Sequence, residues 1–295
     1  MIDLHIHSTF SDGTDTPEEI VEKAYNMGLS AIALTDHDII DGLFPFQKAA
    51  KQYPSLRVLN GCELAVSHPY ATVEIIALEI MDVEAFRRRQ DAVEQKRHEA
   101  NLERINMLQK QGIDISFEEV SIDKNGNSHR LVGRPHFAQA LVKKGYAESI
   151  NDAFQRFLGE NGSAYIKRDN PSVKETIEFV NNSGAVSILA HPALTGVERE
   201  DLIVLIKELK GYGLQGIECY HSEHSDAQTL QYLKIASDLG LKVSGGSDYH
   251  GLIKPDISLG YGKGNLNIPD SVLDNLLGVS KSGKRTNRGY NGIER

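Results

Sequence analysis

Short apolar runs alternate with helical repeats along the first eighty residues. Ile2 to His7 has the length and character of a strand. Thr16-Pro17-Glu18-Glu19 then opens a helix. Threonine and glutamate stand at capping-box spacing, proline takes the first helical position, and Gly28 ends the pattern. Ala31 to Thr35 is the next strand, a helix around Phe44 to Tyr53 follows, and strands are predicted near Arg57 to Asn60 and Val73 to Ile80. Strands that alternate with helices predict a parallel sheet.

The rhythm breaks at residues 84–111, a charged stretch whose sparse apolar positions include Phe86, Val93, Leu102, Ile105 and Leu108. It predicts a long, largely solvated helix. Shorter helices follow over Arg134 to Gly145 and Ile150 to Leu158, with Gly112 and an Asn125-Gly126 turn as breaks. After Asn170-Pro171-Ser172 the alternation resumes: a helix to Gly184, strand Val186 to Ala190, helix Glu200 to Gly211, strand Gly216 to Tyr220, helix Ser225 to Gly240 and strand Leu241 to Gly245. The pattern therefore predicts one α/β core, residues 1–85 and 171–270, split by an all-helical insertion at 86–170. The tail at 280–295 lacks apolar periodicity and is expected to be flexible.

Composition fits this division. A chain of 295 residues with 40% apolar content can bury a large core. No basic and apolar leader opens it and no apolar run reaches about 18 residues, so a cytoplasmic protein with no membrane partner is expected. Cys62 and Cys219 lack a C-x-x-C neighbour, which points the same way. The net charge of −9 argues against long polyanions, but it is unevenly spread. Residues 86–170 carry 15 basic against 12 acidic side chains, whereas the rest carries 17 against 29. The insertion is the basic part.

The chemistry lies at predicted strand ends. His5 and His7 are two apart on a strand and share a face. Asp12 follows in a Ser11-Asp12-Gly13 turn, His37 follows the second strand, Glu63 the third, His191 the strand at 186–190, and Asp248 and His250 the last. The carboxyl ends of parallel strands are where α/β barrels assemble active sites, so the set reads as one metal centre. Mixed imidazole and carboxylate donors fit manganese, iron or zinc better than an all-oxygen magnesium site, although softness alone does not choose among the three; manganese is expected first, with iron or zinc as alternatives. Asp36 and Asp38 flank His37. Asp36 is expected to assist catalysis by taking the outer N–H of a ligating imidazole.

The segments DLHIHSTFSDGT, ALTDHD, GCE, LAHP and GSDYH together resemble the PHP (polymerase and histidinol phosphatase) family over about residues 2–80 and 171–262. GRPHFAQALVKKGY and NDAFQRFLGENGSAYIKR are similar to its subgroup of 3',5'-nucleoside bisphosphate phosphatases and 5'-to-3' exoribonucleases. The resemblance implies a distorted (β/α)7 barrel that hydrolyses phosphate esters with two or three divalent metals. By the same resemblance His5, His7, Glu63 and Asp248 hold one metal, Asp12, His37 and His250 a second, and Glu63 bridges toward a third with His191. Where the family has a further histidine after the glutamate, in a pattern like E-I-H, this chain reads Glu74-Ile75-Ile76. A weak or vacant third position follows; His68 in the Ser67-His68-Pro69 turn could substitute, but a surface turn histidine is the simpler expectation.

Water is the expected nucleophile, since no G-x-S-x-G elbow occurs and neither cysteine adjoins a histidine. His191 is the candidate acid for the leaving oxygen if the third metal is absent. Substrate recognition is expected in the insertion. Arg134 and His136 flank Pro135 at a helix start, where a guanidinium, an imidazole and backbone N–H groups can converge on an anion. Lys167 and Arg168 follow where the chain returns to the core, and His224-Ser225, with His221 nearby, occupies a loop beyond a core strand. Two anion pockets suit a small nucleotide with two phosphates or the 5' end of a short RNA or DNA. No protein partner is evident. The rival readings are a histidinol phosphate phosphatase, a His-x-His amidohydrolase and a non-catalytic metal- or nucleotide-binding module.

Overall fold

The computed structural model describes residues 1–122, 132–167 and 170–278. The Asn125-Gly126 turn, Arg168 and the tail from residue 280 lie outside the described residues. Seven strands form one sheet in chain order: β1 (Ile2–Asp3), β2 (Ala31–Leu34), β3 (Arg57–Ala65), β4 (Glu74–Leu78), β5 (Val186–Leu189), β6 (Gly216–His221) and β7 (Lys242–Gly246). The segment after β1 returns to the segment after β7. Leu4 N–H donates to Gly245 O at 3.1 Å, Asp248 N–H to His5 O at 2.9 Å and His7 N–H to Tyr249 O at 2.9 Å. This seam nearly closes a barrel. Gly246 is required there, because a Cβ would lie 2.3 Å from His5 Cβ.

Two expectations about the sheet change. β4 is antiparallel to both of its neighbours, whereas the other pairs are parallel. The link from β3 to β4 contains no helix, so the chain doubles back without the crossover that parallel pairing needs. β3 also runs past Asn60 to Ala65, because β4 pairs with Gly61 to Ala65. Glu63 therefore lies within a strand and not beyond it. The barrel remains, and β4 is its distortion.

Apolar side chains alternate between two layers. Ile2, Leu4, Ala33, Leu59, Ile76, Leu78 and Ile188 fill the barrel, which Ile268 and helix α10 (Asp270–Leu277) close below. Nothing in the sequence pattern had marked α10. The outer layer is buried under α1 (Pro17–Asn26), α2 (Leu43–Ala50), α7 (Val173–Asn182), α8 (Arg199–Gly211) and α9 (Asp226–Leu239). The predicted capping box at Thr16 and Glu19 is formed, with reciprocal bonds of 3.2 and 2.8 Å. Each wholly buried Ile or Leu contributes about 1.5–3 kcal/mol to holding these layers together.

The insertion comprises α3 (Val83–Lys110), α4 (Phe117–Ser121), α5 (Arg134–Lys143) and α6 (Ile150–Ala153), the last continuing into a π-helical turn at Phe154–Leu158. It has its own apolar core, including Ile105, Leu108, Ile115, Phe137, Leu141 and Leu158. α3 spans both bodies. Its start packs Phe86 against Phe179 on the barrel, and its end enters the insertion core. Its middle is largely exposed, as its charge pattern predicts, except that Arg97 turns back to pair with Asp38 of the barrel. Among the described residues no helix is long and apolar enough to cross a membrane.

Candidate metal centre

The strand-end residues converge at one rim of the barrel. His5 Nε2 and His7 Nε2 lie 3.1 Å apart, and Glu63 Oε2 lies 3.2 Å from the first and 3.3 Å from the second. Asp248 Oδ1 is 3.3 Å from His7 Nε2. On the other side of His7, Asp12, His37 and His250 gather around its Nδ1 face. Asp12 Oδ1 stands 3.3 Å from His250 Nε2, and His37 Nε2 is 3.8 Å from Asp12 Oδ2. His191 Nε2 approaches Glu63 Oε1 at 3.0 Å. All eight residues expected as ligands thus meet in one cluster, with His7 between its two halves.

These donors fit cations. His7 Nδ1, Asp12 Oδ1 and Glu63 Oε2 are buried without a hydrogen-bond partner. Leaving such atoms unpaired costs free energy that a bound cation would remove. Burial disfavours charge throughout the cluster, but opposite partners outweigh it. Glu63 and Glu218 raise His5 well above the usual imidazole range, and the adjacent carboxylates of Asp248 and Glu63 lift His7 to about 9. Asp12 is held well below the carboxylate range by His37 and His250, and Glu63 by His5 and His37. His250 moves the other way. Burial and the nearby His7 charge lower it, while its Nδ1, 2.8 Å from Asp248 O, leaves Nε2 facing Asp12.

The backbone is bent to bring these groups in. Asp38, His191 and Asp248 have φ of 54°, 23° and 58°, a region non-glycine residues seldom enter. Such conformations cost on the order of 1–3 kcal/mol each and collect at functional sites. The turn bearing Asp12 is equally constrained, since a Cβ on Gly13 would lie 2.4 Å from His7 O.

The residues behind the ligands differ from expectation. Asp36 accepts from Ser8 N at 2.7 Å, Ser8 Oγ at 2.7 Å and Ser11 Oγ at 2.6 Å. Its carboxylate therefore fastens the Asp12 turn and does not take an imidazole N–H. Asp38 accepts from Ala65 N and pairs with Arg97. The imidazole partner is Glu218, which the sequence reading missed. Its Oε1 lies 3.0 Å from His5 Nδ1, and its Oε2 accepts from His191 N at 2.7 Å. An acid inside the apolar run Gly216 to Tyr220 was the available signal. Lys254, also missed, donates to Asp248 Oδ2 at 2.5 Å.

Ile76 points into the barrel core, so it offers nothing to the rim. Glu74 does. Its carboxylate reaches within 3.4 Å of His191 Nε2 and 3.8 Å of His37 Nδ1. His68 is absent from the cluster, because it turns toward Glu208 on α8 at 3.6 Å. His221 is a closer neighbour than expected, with Nε2 3.6 Å from Asp248 Oδ2.

A cavity of about 160 Å³ opens over the ligands, lined by Asp12, His37 and Glu74 on the barrel side and by Arg97, Arg134, His136 and Phe154 from the insertion. Arg134 reaches Leu158 O at 3.4 Å through Nη1, while its Nε is buried without a partner. Burial and the neighbouring Arg134 charge push Arg104 down to about 10. His136 accepts from Gly133 N at 2.9 Å through Nδ1, which caps α5. Of the other expected substrate contacts, Arg168 lies outside the described residues and Lys167, Ser225 and His224 are engaged elsewhere. Lys167 lines a separate groove with Arg89 and Lys96. The Ser225 hydroxyl accepts from Gln228 N at 3.3 Å as the N-cap of α9. His224 Nδ1 faces Cys219 O at 3.0 Å, and burial together with the His221 charge lowers its pKa to about 4. A neutral ring with its proton on Nδ1 leaves Nε2 an acceptor, unsuited to phosphate.

Comparison with known proteins agrees with this geometry. The PHP domain family matches residues 3–185. A 5'-3' exoribonuclease of Haemophilus influenzae is 30% identical over 275 residues, 92% of this chain and 96% of its own length. A 3',5'-nucleoside bisphosphate phosphatase of Chromobacterium violaceum is 30% identical over 250 residues, 84% of this chain and 87% of its own. The crystal structure of a candidate metal-dependent phosphoesterase from Bifidobacterium adolescentis is 29% identical and superposes with a TM-score of 0.80, covering 94% of this chain and 95% of that one. The clustered ligands, the barrel that carries them and these matches make the chain a member of the PHP domain family and a metal-dependent phosphoester hydrolase.

Proposed function

We propose that this hydrolase removes the 3'-phosphate of nucleoside 3',5'-bisphosphates and acts on the 5' end of short, 5'-phosphorylated oligonucleotides. The observation that carries the proposal is the two-sided cavity. Asp12, His37 and Glu74 face Arg97, Arg134, His136 and Phe154 across it. A phosphate cleaved at the ligands would leave a second anion within the insertion, where Arg134 has an unpartnered N–H and a like-charged neighbour in Arg104. Two guanidiniums side by side are stabilised by an anion between or beside them. Phe154 adds a flat apolar surface of the kind on which a nucleobase stacks. The activities for which the two relatives are named support the same substrate class.

His5, His7, Glu63 and Asp248 would hold one divalent cation and Asp12, His37 and His250 a second, with manganese expected first and iron or zinc fitting the same donors. Such cations supply acidified water and positive charge on the phosphate oxygens. The protein's own contribution is positioning. Glu218 sets the His5 ring and the His191 backbone, Asp36 holds the Asp12 turn, and Lys254 fixes Asp248. Cys62 and Cys219 are buried and free, in keeping with a reducing cytoplasm.

The test is inorganic phosphate release by the manganese-reconstituted protein on adenosine 3',5'-bisphosphate, 5'-AMP and histidinol phosphate, with product sizing on a short 5'-phosphorylated RNA. Strong turnover of the bisphosphate or the RNA, with little on the other two, is expected. Turnover of histidinol phosphate alone would overturn the substrate assignment, and silence on all four with metal bound would favour a non-catalytic module.

A further inference from the structure

We infer that the groove between α3 and the chain segment returning from the insertion grips the sugar-phosphate chain of a single-stranded oligonucleotide on the 3' side of the cleaved linkage. This rests on the proposed substrate class and extends it from the first nucleotide to the strand behind it.

The groove has a volume of about 260 Å³, larger than the 160 Å³ cavity over the ligands. It adjoins that cavity at two places. Arg97 lines both, with its guanidinium paired to Asp38 beside His37. Ala65 lines the cavity, and two residues further on Ser67 N donates at 2.9 Å to the carbonyl of Pro171, a residue of the groove. Both junctions lie on the barrel side of the cavity, where the linkage would be cut, and not on the Arg134 side, where the 5'-phosphate would be held. A strand that enters with its 5' end must leave by this side.

The walls carry the matching charge. Arg89, Lys96 and Arg97 stand along α3, and Lys167 comes from the facing segment. Positions 89, 92, 96 and 100 fall on one face of a helix. They run roughly 16 Å at 1.5 Å per residue, the length of a few stacked nucleotides at about 3.4 Å each. Ala92, Val93 and Ala100 lie between the charges as a small apolar floor on which sugars can pack. Arg89 makes the strongest demand for an anion. It is half-buried, donates to Thr176 Oγ1 at 2.9 Å, and has a buried Nε without a partner. Burial holds its pKa below the usual guanidinium value, against Asp38 and Glu175, neither of which forms an ion pair with it. A partly dehydrated cation of this kind is stabilised by a nearby phosphate. Among the described residues no aromatic ring lines the groove, so the grip is on phosphates and is indifferent to base sequence.

The experiment compares a 5'-phosphorylated RNA ten-mer, the corresponding dinucleotide and adenosine 3',5'-bisphosphate on the full chain. Binding is read by fluorescence anisotropy without divalent metal, so that nothing is cut, and kcat/KM is measured with Mn(II). Ala92→Glu and Lys96→Glu place negative charge in the groove at exposed positions of α3, outside the metal cluster and the cavity, and circular dichroism verifies folding. At about 50 mM salt, wild type is expected to bind the ten-mer at least tenfold more tightly than the dinucleotide. Its log–log salt dependence should steepen by about 0.7 for each added phosphate contact. Each variant should lose at least fivefold in affinity and in kcat/KM for the ten-mer, while kcat/KM for the bisphosphate stays within twofold of wild type. A ten-mer held no more tightly than the dinucleotide, variants that bind it as wild type does, or variants that lower bisphosphate turnover equally would overturn the inference. So would a polyglutamate chain that displaces the ten-mer as well as unlabelled RNA does, which would point to an acidic peptide. Turnover of neither the bisphosphate nor the RNA would instead overturn the substrate reading on which the groove's role stands.

Discussion

The barrel rim and the insertion meet across one cavity but are built on opposite principles. At the rim, imidazoles and carboxylates are buried together in contact with one another, on strand ends held by backbone bonds across the β1–β7 seam. In the insertion, the cavity wall carries guanidiniums whose Nε atoms, on Arg97 and Arg134, find no acceptor among the described residues. The rim has its counter-charges built in and is completed by cations. In the insertion Arg97 is paired with Asp38 of the barrel, and the Arg134 guanidinium is the group left for the proposed second phosphate. Under the proposed function, the contrast separates groups that would set the chemistry from groups that would choose what is cleaved, and the two can be broken independently.

The largest effect should come from the rim. Asp12→Ala removes a carboxylate that faces His7, His37 and His250, so metal and turnover should fall together, with turnover reduced by roughly a thousandfold or more. Metal analysis beside phosphate release checks this. Retained activity without that carboxylate would dissolve the distinction between the two walls.

Protonation gives the next effect. In the metal-free protein His5, His7 and His191 are raised above the unfolded value of about 6.5, His7 to about 9. Their stabilisation is fully present below pH 6.5 and is lost as pH rises through the folded values. Cation binding needs the neutral rings and must expel those protons. Metal-free protein should therefore melt lower at pH 9 than at pH 6.5, while Mn(II) affinity should rise about tenfold per pH unit for each proton released. Titration calorimetry in buffers of different ionisation enthalpy measures the proton count, and a count of zero would contradict the charged metal-free rim.

On the other wall, Arg134→Ala should retain the metal but lose discrimination between bisphosphate and monophosphate by roughly tenfold to a hundredfold, the value of a charge-assisted contact. Unchanged kcat/KM ratios for the two substrates would remove the second-phosphate pocket from the proposal. The smallest effect is expected where the structure finds a cap. Ser225→Ala should cost about 1 kcal/mol of stability by denaturant titration, with kcat unaltered.

That these acids and histidines would cluster was legible because they sit at strand ends, and period-two alternation in a strand fixes which side chains share a face. The rule puts His5 and His7 on one face, and the positions of Asp12, His37, His191, Asp248 and His250 after strands set that pair in a larger cluster. Arg134, an arginine beside proline at a helix start, does line the cavity, and its contact with substrate remains a proposal. Lys167, His224 and Ser225 misled for one reason. Their residue types suit phosphate, but the type does not say whether a hydroxyl will cap its own helix, an imidazole will face a carbonyl, or a lysine will open onto the neighbouring groove.

What the chain determined by itself was therefore local: which segments are strands or helices, where the helical insertion interrupts them, and which acids and histidines stand at strand ends. Tertiary structure decided the direction of β4, and with it the exchange of Ile76 for Glu74 at the rim. It also decided that Glu218 orients His5 while Asp36 fastens a turn, and that Arg97 joins Arg134 over the ligands. These facts depend on pairings between segments far apart in the chain, where register and burial are set by the whole barrel. No local pattern of residues encodes them.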